Sequence, residues 1–218
     1  MKKSTTSKTQ IETLKIDLTD YNKVSLEIKK LSDSGKNLDI VIFNAGIAAG
    51  QLFKDLTFQQ YQKTIDVNFL SNVHLTKQIM ENNQNKENSH KPKNLIYISS
   101  IAGYWQSPKA SEYCPSKHAI RSFVECYSHE CDYEGLKTKF SVICPYFART
   151  WLTESKITES QWKVIPFLIT AKDVAATVFD VIYYDIDNII VGWVAYIIKW
   201  RYLLQGDKYS RRPCLTWF

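Results

Sequence analysis

The sequence predicts an α/β fold: a doubly wound, mostly parallel sheet with helices on both faces. Three observations carry this. Short apolar runs alternate with stretches of helical apolar spacing along the chain, the pattern of βαβ units. Two of the runs, Ile40-Val41-Ile42-Phe43 and Leu95-Ile96-Tyr97-Ile98, are continuous, as in strands covered on both faces. The polar, chemistry-bearing motifs each follow a strand, where open α/β sheets bind ligands.

The elements follow in order. Residues 14–18 alternate and stop at Thr19-Asp20, which reads as a short strand. Residues 21–31 carry Val24, Ile28 and Leu31 at helical spacing and stop at Ser34-Gly35. Residues 39–43 form a buried strand that ends at Asn44-Ala45-Gly46. A long helix is expected over 58–80, with Tyr61, Ile65, Phe69 and Val73 on one broad face. Residues 82–94 are polar and of low complexity, hence a surface loop. Residues 95–98 are the next strand. A helix over 111–134 turns Ala119, Ile120, Phe123, Val124 and Tyr127 inward and is ended by Gly135. Residues 139–144 are a strand closed by Pro145, residues 171–183 a helix, and residues 188–191 a strand. One domain is thus expected over residues 1–191, followed by a basic, aromatic tail over 192–218.

With 44% hydrophobic and 23% charged residues, the 218-residue chain is neither a disordered tail nor a bundle of membrane spans. Much of its net charge of +6 lies in the last 20 residues, which carry five cations and one acid. No zinc-ligand spacing, recognition-helix pattern or RNP-like strand accompanies that charge, so neither a nucleic-acid partner nor a metal is expected. The ten mostly apolar residues 189–198 cannot cross a core of about 30 Å. With Trp193, Tyr196, Trp200 and Tyr202 beside cations, the segment reads as an interfacial membrane helix, or as a last strand plus a packed helix. Five cysteines at irregular spacing suggest reduced thiols. Residues 1–10 are polar and lack the apolar core of a signal peptide.

The most informative segment is Tyr113-Cys114-Pro115-Ser116-Lys117. Four residues apart on a helix, Tyr113 and Lys117 share one face. A phenol near pKa ~10 exchanges protons poorly at pH 7, and a cation one turn away favours the phenolate. The pair is a candidate proton donor to a carbonyl or acceptor from an alcohol. Ser100, thirteen residues upstream at a strand end, offers a hydroxyl to the same oxygen. Asn68 sits mid-helix, where Asn is a poor former.

These residues, with Asn44-Ala45-Gly46 after an apolar strand, resemble the short-chain dehydrogenase/reductase family. Its Asn-Asn-Ala-Gly motif is here Phe43-Asn44-Ala45-Gly46, and its helix asparagine, serine, tyrosine and lysine match Asn68, Ser100, Tyr113 and Lys117. Its Pro-Gly…Thr segment matches Pro145…Thr150 with Tyr146 in place of Gly, and Asp17-Leu18-Thr19 matches its adenine-side motif. The Tyr-Cys-x-Ser-Lys and Cys-Pro-x-Phe variants are similar to the branch of lipid-droplet 17-beta-hydroxysteroid dehydrogenases and epidermal retinal and retinol dehydrogenases.

The resemblance implies a Rossmann-like domain and NAD or NADP as cofactor. It implies Tyr113 as acid/base, Lys117 on that tyrosine and the nicotinamide ribose, Ser100 on the substrate oxygen, and Asn68 on a relay water. Thr150 and Pro145 would border the nicotinamide end, Asn44, Ala45 and Gly46 the adenosine ribose, and Asp17 the adenine. It implies a lipophilic alcohol, ketone or aldehyde of steroid or retinoid type, and the cytoplasmic face of the endoplasmic reticulum or a lipid droplet, with the cytoplasm as the alternative. The family often dimerises through its two long helices. The segment 151–169 would be a substrate lid, in which Trp162, Ile165, Pro166, Phe167 and Leu168 suit an apolar ligand or, equally, a core.

One family feature is missing. No Gly-rich turn precedes Asp17, and the first glycine is Gly35. Such a turn lets the backbone approach the cofactor's pyrophosphate. The match therefore starts near the family's third strand, and residues 39–43 are expected at an open, apolar sheet edge. An incomplete gene model, a splice form or a lost activity would each account for it. The competing expectations are a working oxidoreductase and a non-catalytic lipid-surface or interaction protein without dinucleotide binding.

Overall fold

The computed structural model describes residues 10–82, 92–148, 150–154, 168–184, 186–192 and Ile197. Among them a four-stranded parallel sheet runs in the order β1 (Ile40–Phe43), β2 (Asn94–Ile98), β3 (Lys139–Pro145), β4 (Asn188–Val191). Strand neighbours in the sheet are also neighbours in sequence. The register pairs Phe43 with Tyr97, Tyr97 with Val142, and Pro145 with Val191. The helices are α1 (Tyr21–Asp33), α2 (Phe58–Ile65), α3 (Ser71–Asn82), α4 (Tyr113–Tyr133), α5 (Trp151–Glu154) and α6 (Ala171–Tyr184). The α/β architecture expected from the sequence is the one observed.

β2 and β3 are buried over most of their length, which demands cover on both sheet faces. The Phe43 and Tyr97 rings stack at 4.2 Å, and the Tyr97 hydroxyl meets Thr76 Oγ1 of α3 at 2.7 Å. That bond satisfies a phenol with no access to water. At the other extreme, β1 forms the sheet's edge among the described residues. Ile40 and Ile42 keep 40% and 47% of their surface exposed, so this strand is not covered on both faces as its continuous apolar run suggested: no described element packs over that side of the edge strand.

Residues 14–18 do not form the expected strand. Residues 14–17 take no regular structure, Leu18 enters a turn, and Leu14 is exposed. Alternation makes a strand only where a neighbour takes its backbone hydrogen bonds. Here Asp17 closes a turn instead: its carboxylate accepts from Thr19 N at 2.9 Å and Thr19 Oγ1 at 2.8 Å, and its carbonyl accepts from Asp20 N. Asp20 then caps α1 through Lys23 N.

The long helix expected over 58–80 exists but changes pitch. α2 starts with a capping box of Thr57 and Gln60. Asp66–Leu70 is a π-helical turn, with Ser71 N donating to Asp66 O, and α3 continues from it. Asn68 lies inside this turn and is wholly buried. Asn72 Nδ2 donates to the Asn68 carbonyl at 2.9 Å. The residue that looked out of place in a helix is where the helix departs from α geometry.

Candidate functional site

β1, β2 and β3 deliver their following residues to the same end of the sheet. A cavity of about 690 Å³ opens there, lined by Asn44 and Gly46 after β1, Ser100 after β2, Tyr113 and Lys117 from α4, and Pro145 and Thr150 after β3. Most of the remaining wall is apolar, including Ile98, Ile101, Trp105, Phe147, Val174 and Val178.

α4 is locked against the sheet by four contacts. Ser99 Oγ donates to Lys117 O at 2.9 Å, and Lys117 Nζ donates to Ile98 O at 3.0 Å. Arg121 donates to Gly103 O at 2.6 Å and lies 3.4 Å from the Tyr104 ring centroid. Pro115 is tolerated because it falls in the first turn, where its missing N–H is not needed. The short helical turn Ile101–Gly103 therefore rests directly on the helix that carries Tyr113 and Lys117.

Lys117 Nζ lies 5.5 Å from the Tyr113 ring centroid. The expected lowering of the Tyr113 pKa by that cation is not the dominant influence on the phenol. Burial pushes the phenol up to about 12, against a hydrogen bond with Ser100 that pulls it down. Burial likewise brings the Lys117 ammonium down to about 8. Desolvation is the largest influence on both groups. The thiol of buried Cys144, raised to about 11 by burial, stays neutral beside them.

The pH dependence of stability follows. A lysine at about 8 when folded and 10.5 when unfolded imposes its full burial cost below pH 8. That cost is relieved as pH rises from 8 towards 10.5, because the unfolded chain then binds the extra proton. Stability of the native chain relative to Lys117→Met is expected to rise by about 1 kcal/mol per pH unit across that window. Urea denaturation of both proteins at pH 7.5 and 9.5 measures it. A constant difference between them would contradict the burial of an ionisable Lys117.

Asn68 stands behind the cavity wall. Its Oδ1 accepts from Ile47 N at 2.8 Å, and its Nδ2 donates to Ile47 O at 2.9 Å and Ser116 Oγ at 3.0 Å. It thus ties the loop after β1 to α4, and a Cβ on Gly46 would touch both Asn68 Oδ1 and Lys117 Nζ at 3.5 Å. Of the other residues expected at the site, Ala45 is exposed and outside the cavity lining. Asp17 is spent on its turn with Thr19, which lowers its pKa, and it does not line the cavity. Of the expected lid over 151–169, residues 151–154, 168 and 169 are described, and Leu152 and Thr153 line the cavity; of the tail over 192–218, Gly192 and Ile197 are described, and the rest of both segments lies outside the described residues. Among the described residues no cluster suits a metal ion, and no helix is long and apolar enough to cross a membrane.

Glu112, which the sequence reading passed over, is fully buried. Its Oε1 accepts from Ala49 N at 2.8 Å and Gly50 N at 3.4 Å, while Oε2 has no hydrogen-bond partner. Placed just before Tyr113, it fixes the Ala48–Gly50 wall to the start of α4. Its adjacency to the tyrosine was the available signal, but a carboxylate at a helix start reads first as exposed.

The polar groups in the cavity suit the nicotinamide-ribose half of a dinucleotide: an ammonium and Ser and Thr hydroxyls that donate, and a strand-end carbonyl that accepts. The diphosphate half finds no match among the described residues. No described residue before Ile42 lines the cavity, and no glycine precedes Gly35 to let a backbone approach phosphate.

Residues 1–161 match the family model for short chain dehydrogenase. The chain is 34% identical over 119 residues to an uncharacterized oxidoreductase of Schizosaccharomyces pombe, covering 55% of this chain and 40% of that protein. It is 31% identical over 140 residues to epidermal retinol dehydrogenase 2 of Mus musculus, covering 61% of this chain and 43% of that one. The chain thus spans under half the length of these two relatives. In fold it is similar to the 3-oxoacyl-[acyl-carrier protein] reductase of Brucella melitensis solved with NAD, with a TM-score of 0.71, 21% identity, and coverage of 84% of this chain and 77% of that one. Motifs, sheet and family match agree: the chain belongs to the short-chain dehydrogenase/reductase family.

Proposed function

We propose that the chain carries the acid–base and substrate half of a nicotinamide-dependent oxidoreductase that interconverts a lipophilic alcohol with its ketone or aldehyde. The observation behind this reading is the convergence of Ser100, Tyr113 and Lys117 on one largely apolar cavity of about 690 Å³. Such a volume suits one lipid-sized molecule. A carbonyl oxygen between Ser100 and Tyr113 would accept the Ser100 hydroxyl's hydrogen bond and the Tyr113 proton. With its pKa at about 12, Tyr113 holds that proton at pH 7, the form needed for carbonyl reduction. In the opposite direction its phenolate would take the alcohol proton, with Lys117 supporting the negative charge. Asn68 keeps the loop after β1 and α4 in register. A bound nicotinamide dinucleotide supplies or accepts the hydride. Lys117, Pro145 and Thr150 would border its nicotinamide end, and Asn44 and Gly46 its ribose side.

One observation favours a second reading, a non-catalytic binding protein: the described residues offer no grip on a diphosphate. Calorimetric titration separates the two. The 218-residue chain is expected to bind NADH and NADPH more weakly than about 100 μM, while still taking an apolar ligand into the cavity. Micromolar binding of either dinucleotide would remove the second reading and show that the diphosphate is held elsewhere in the chain.

A further inference from the structure

The charged groups around the cavity are one-sided. Lys109 and Lys117 line it, and no described acidic residue does. Lys117 is committed to Ile98 O and lies beside the Tyr113 ring. The nearest acid in sequence, Glu112, turns its Oε1 to Ala49 and Gly50. Lys109 is different. It is exposed, makes no hydrogen bond or ion pair with a described residue, and stands at the wall near Trp105 and Pro108. It is also the one described non-glycine residue with positive φ, at 62°. That conformation is unfavourable for a lysine, and glycine or asparagine would adopt it at less cost. A cation is thus held in a strained turn beside an apolar cavity, with no partner among the described residues.

We propose that Lys109 is a specificity residue that pairs with an anionic group on an otherwise lipophilic substrate. The cavity then prefers amphiphiles bearing a carboxylate or phosphate ester over neutral lipids of the same length. This rests on the reading of the cavity as the substrate site. An ion pair at the edge of an apolar wall is less screened than one in open water, yet remains close enough to solvent to form and break readily.

The test is displacement of the neutral dye Nile red from the full chain by dodecanoate, dodecyl phosphate and 1-dodecanol, at pH 7.5 and low salt. The two anions are expected to bind about three- to tenfold more tightly than the alcohol. Lys109→Gly keeps the left-handed backbone accessible and removes the charge. It should abolish that preference and leave the affinity for 1-dodecanol unchanged. Lys109→Gln should do the same, which separates charge from backbone strain. Added salt should erode the preference in the native chain only. Inorganic phosphate should not displace the dye, since it lacks the tail. If the alcohol binds as tightly as the anions, or the preference survives in Lys109→Gly, the role of Lys109 is overturned while the cavity reading stands. If none of the three amphiphiles displaces the dye, both fail.

Discussion

Tyr113→Phe is expected to lower the rate of carbonyl reduction by about 10²- to 10⁴-fold, the range that a positioned general acid contributes. The substitution removes one oxygen and leaves the ring, so the stack of Tyr113 with the Lys117 ammonium and the start of α4 persist. Ser100 loses its phenol partner but keeps the Ala102 N–H, which donates to its Oγ at 3.1 Å. The measurement is single-turnover reduction of a lipophilic ketone at millimolar NADPH, so that weak cofactor binding does not mask the proton transfer. Lys117→Arg is expected to fail as well. Lysine reaches Ile98 O as a compact point charge, and a planar guanidinium of greater width does not fit the same buried place. Retained turnover in Tyr113→Phe, with the melting temperature unchanged, would show that another group supplies the proton.

The parts of this site that were legible in the sequence are those set by local spacing. Tyr113 and Lys117 share a helix face because they are four apart, and the run from Leu95 to Ile98 had to be a buried strand because it has no polar residue to turn outward but the Tyr97 hydroxyl. Asn68 was conspicuous because asparagine suits a helix interior poorly. Its reason, a π turn whose side chain reaches Ile47 and Ser116, depends on contacts 21 and 48 residues away. Two expectations turned on surroundings that spacing does not report. Residues 14–18 had the alternation of a strand but no described neighbour to pair with. The Tyr113–Lys117 pair had the right separation, but how far a cation lowers a neighbour's pKa depends on how dry the site is. Burial is a property of the whole fold, and neither residue type nor spacing reports it. Glu112 escaped for that reason too.

Gly103 sets the distance between the substrate wall and α4, and Gly103→Ala is expected to destabilise the chain by about 2–3 kcal/mol. Its backbone conformation does not require glycine; the space does. A Cβ there would lie 2.9 Å from Lys117 O, 2.9 Å from Ser99 Oγ and 2.9 Å from Arg121 Cδ. The arginine chain can swing aside, at the cost of its bond to Gly103 O and its stack on Tyr104. The Lys117 carbonyl belongs to the helix backbone and cannot. Either the turn Ile101–Gly103 lifts off α4, or the Ser99–Lys117 bond stretches, and the overpacking and lost bond together cost this much. At about 2–4 °C per kcal/mol for a chain of this size, the melting temperature should fall by roughly 4–12 °C. Gly35→Ala is the control. Gly35 has φ +75° and nothing within 4 Å of an added Cβ, so its cost is the backbone strain alone, about 1 kcal/mol. Gly103→Val should exceed both, because its two γ-methyl groups enter the same gap. Thermal and urea denaturation of the three variants rank the two effects. A Gly103→Ala protein as stable as the Gly35→Ala control would mean that the wall and the helix can part without cost, and the tight seating of Lys117 described above would not hold.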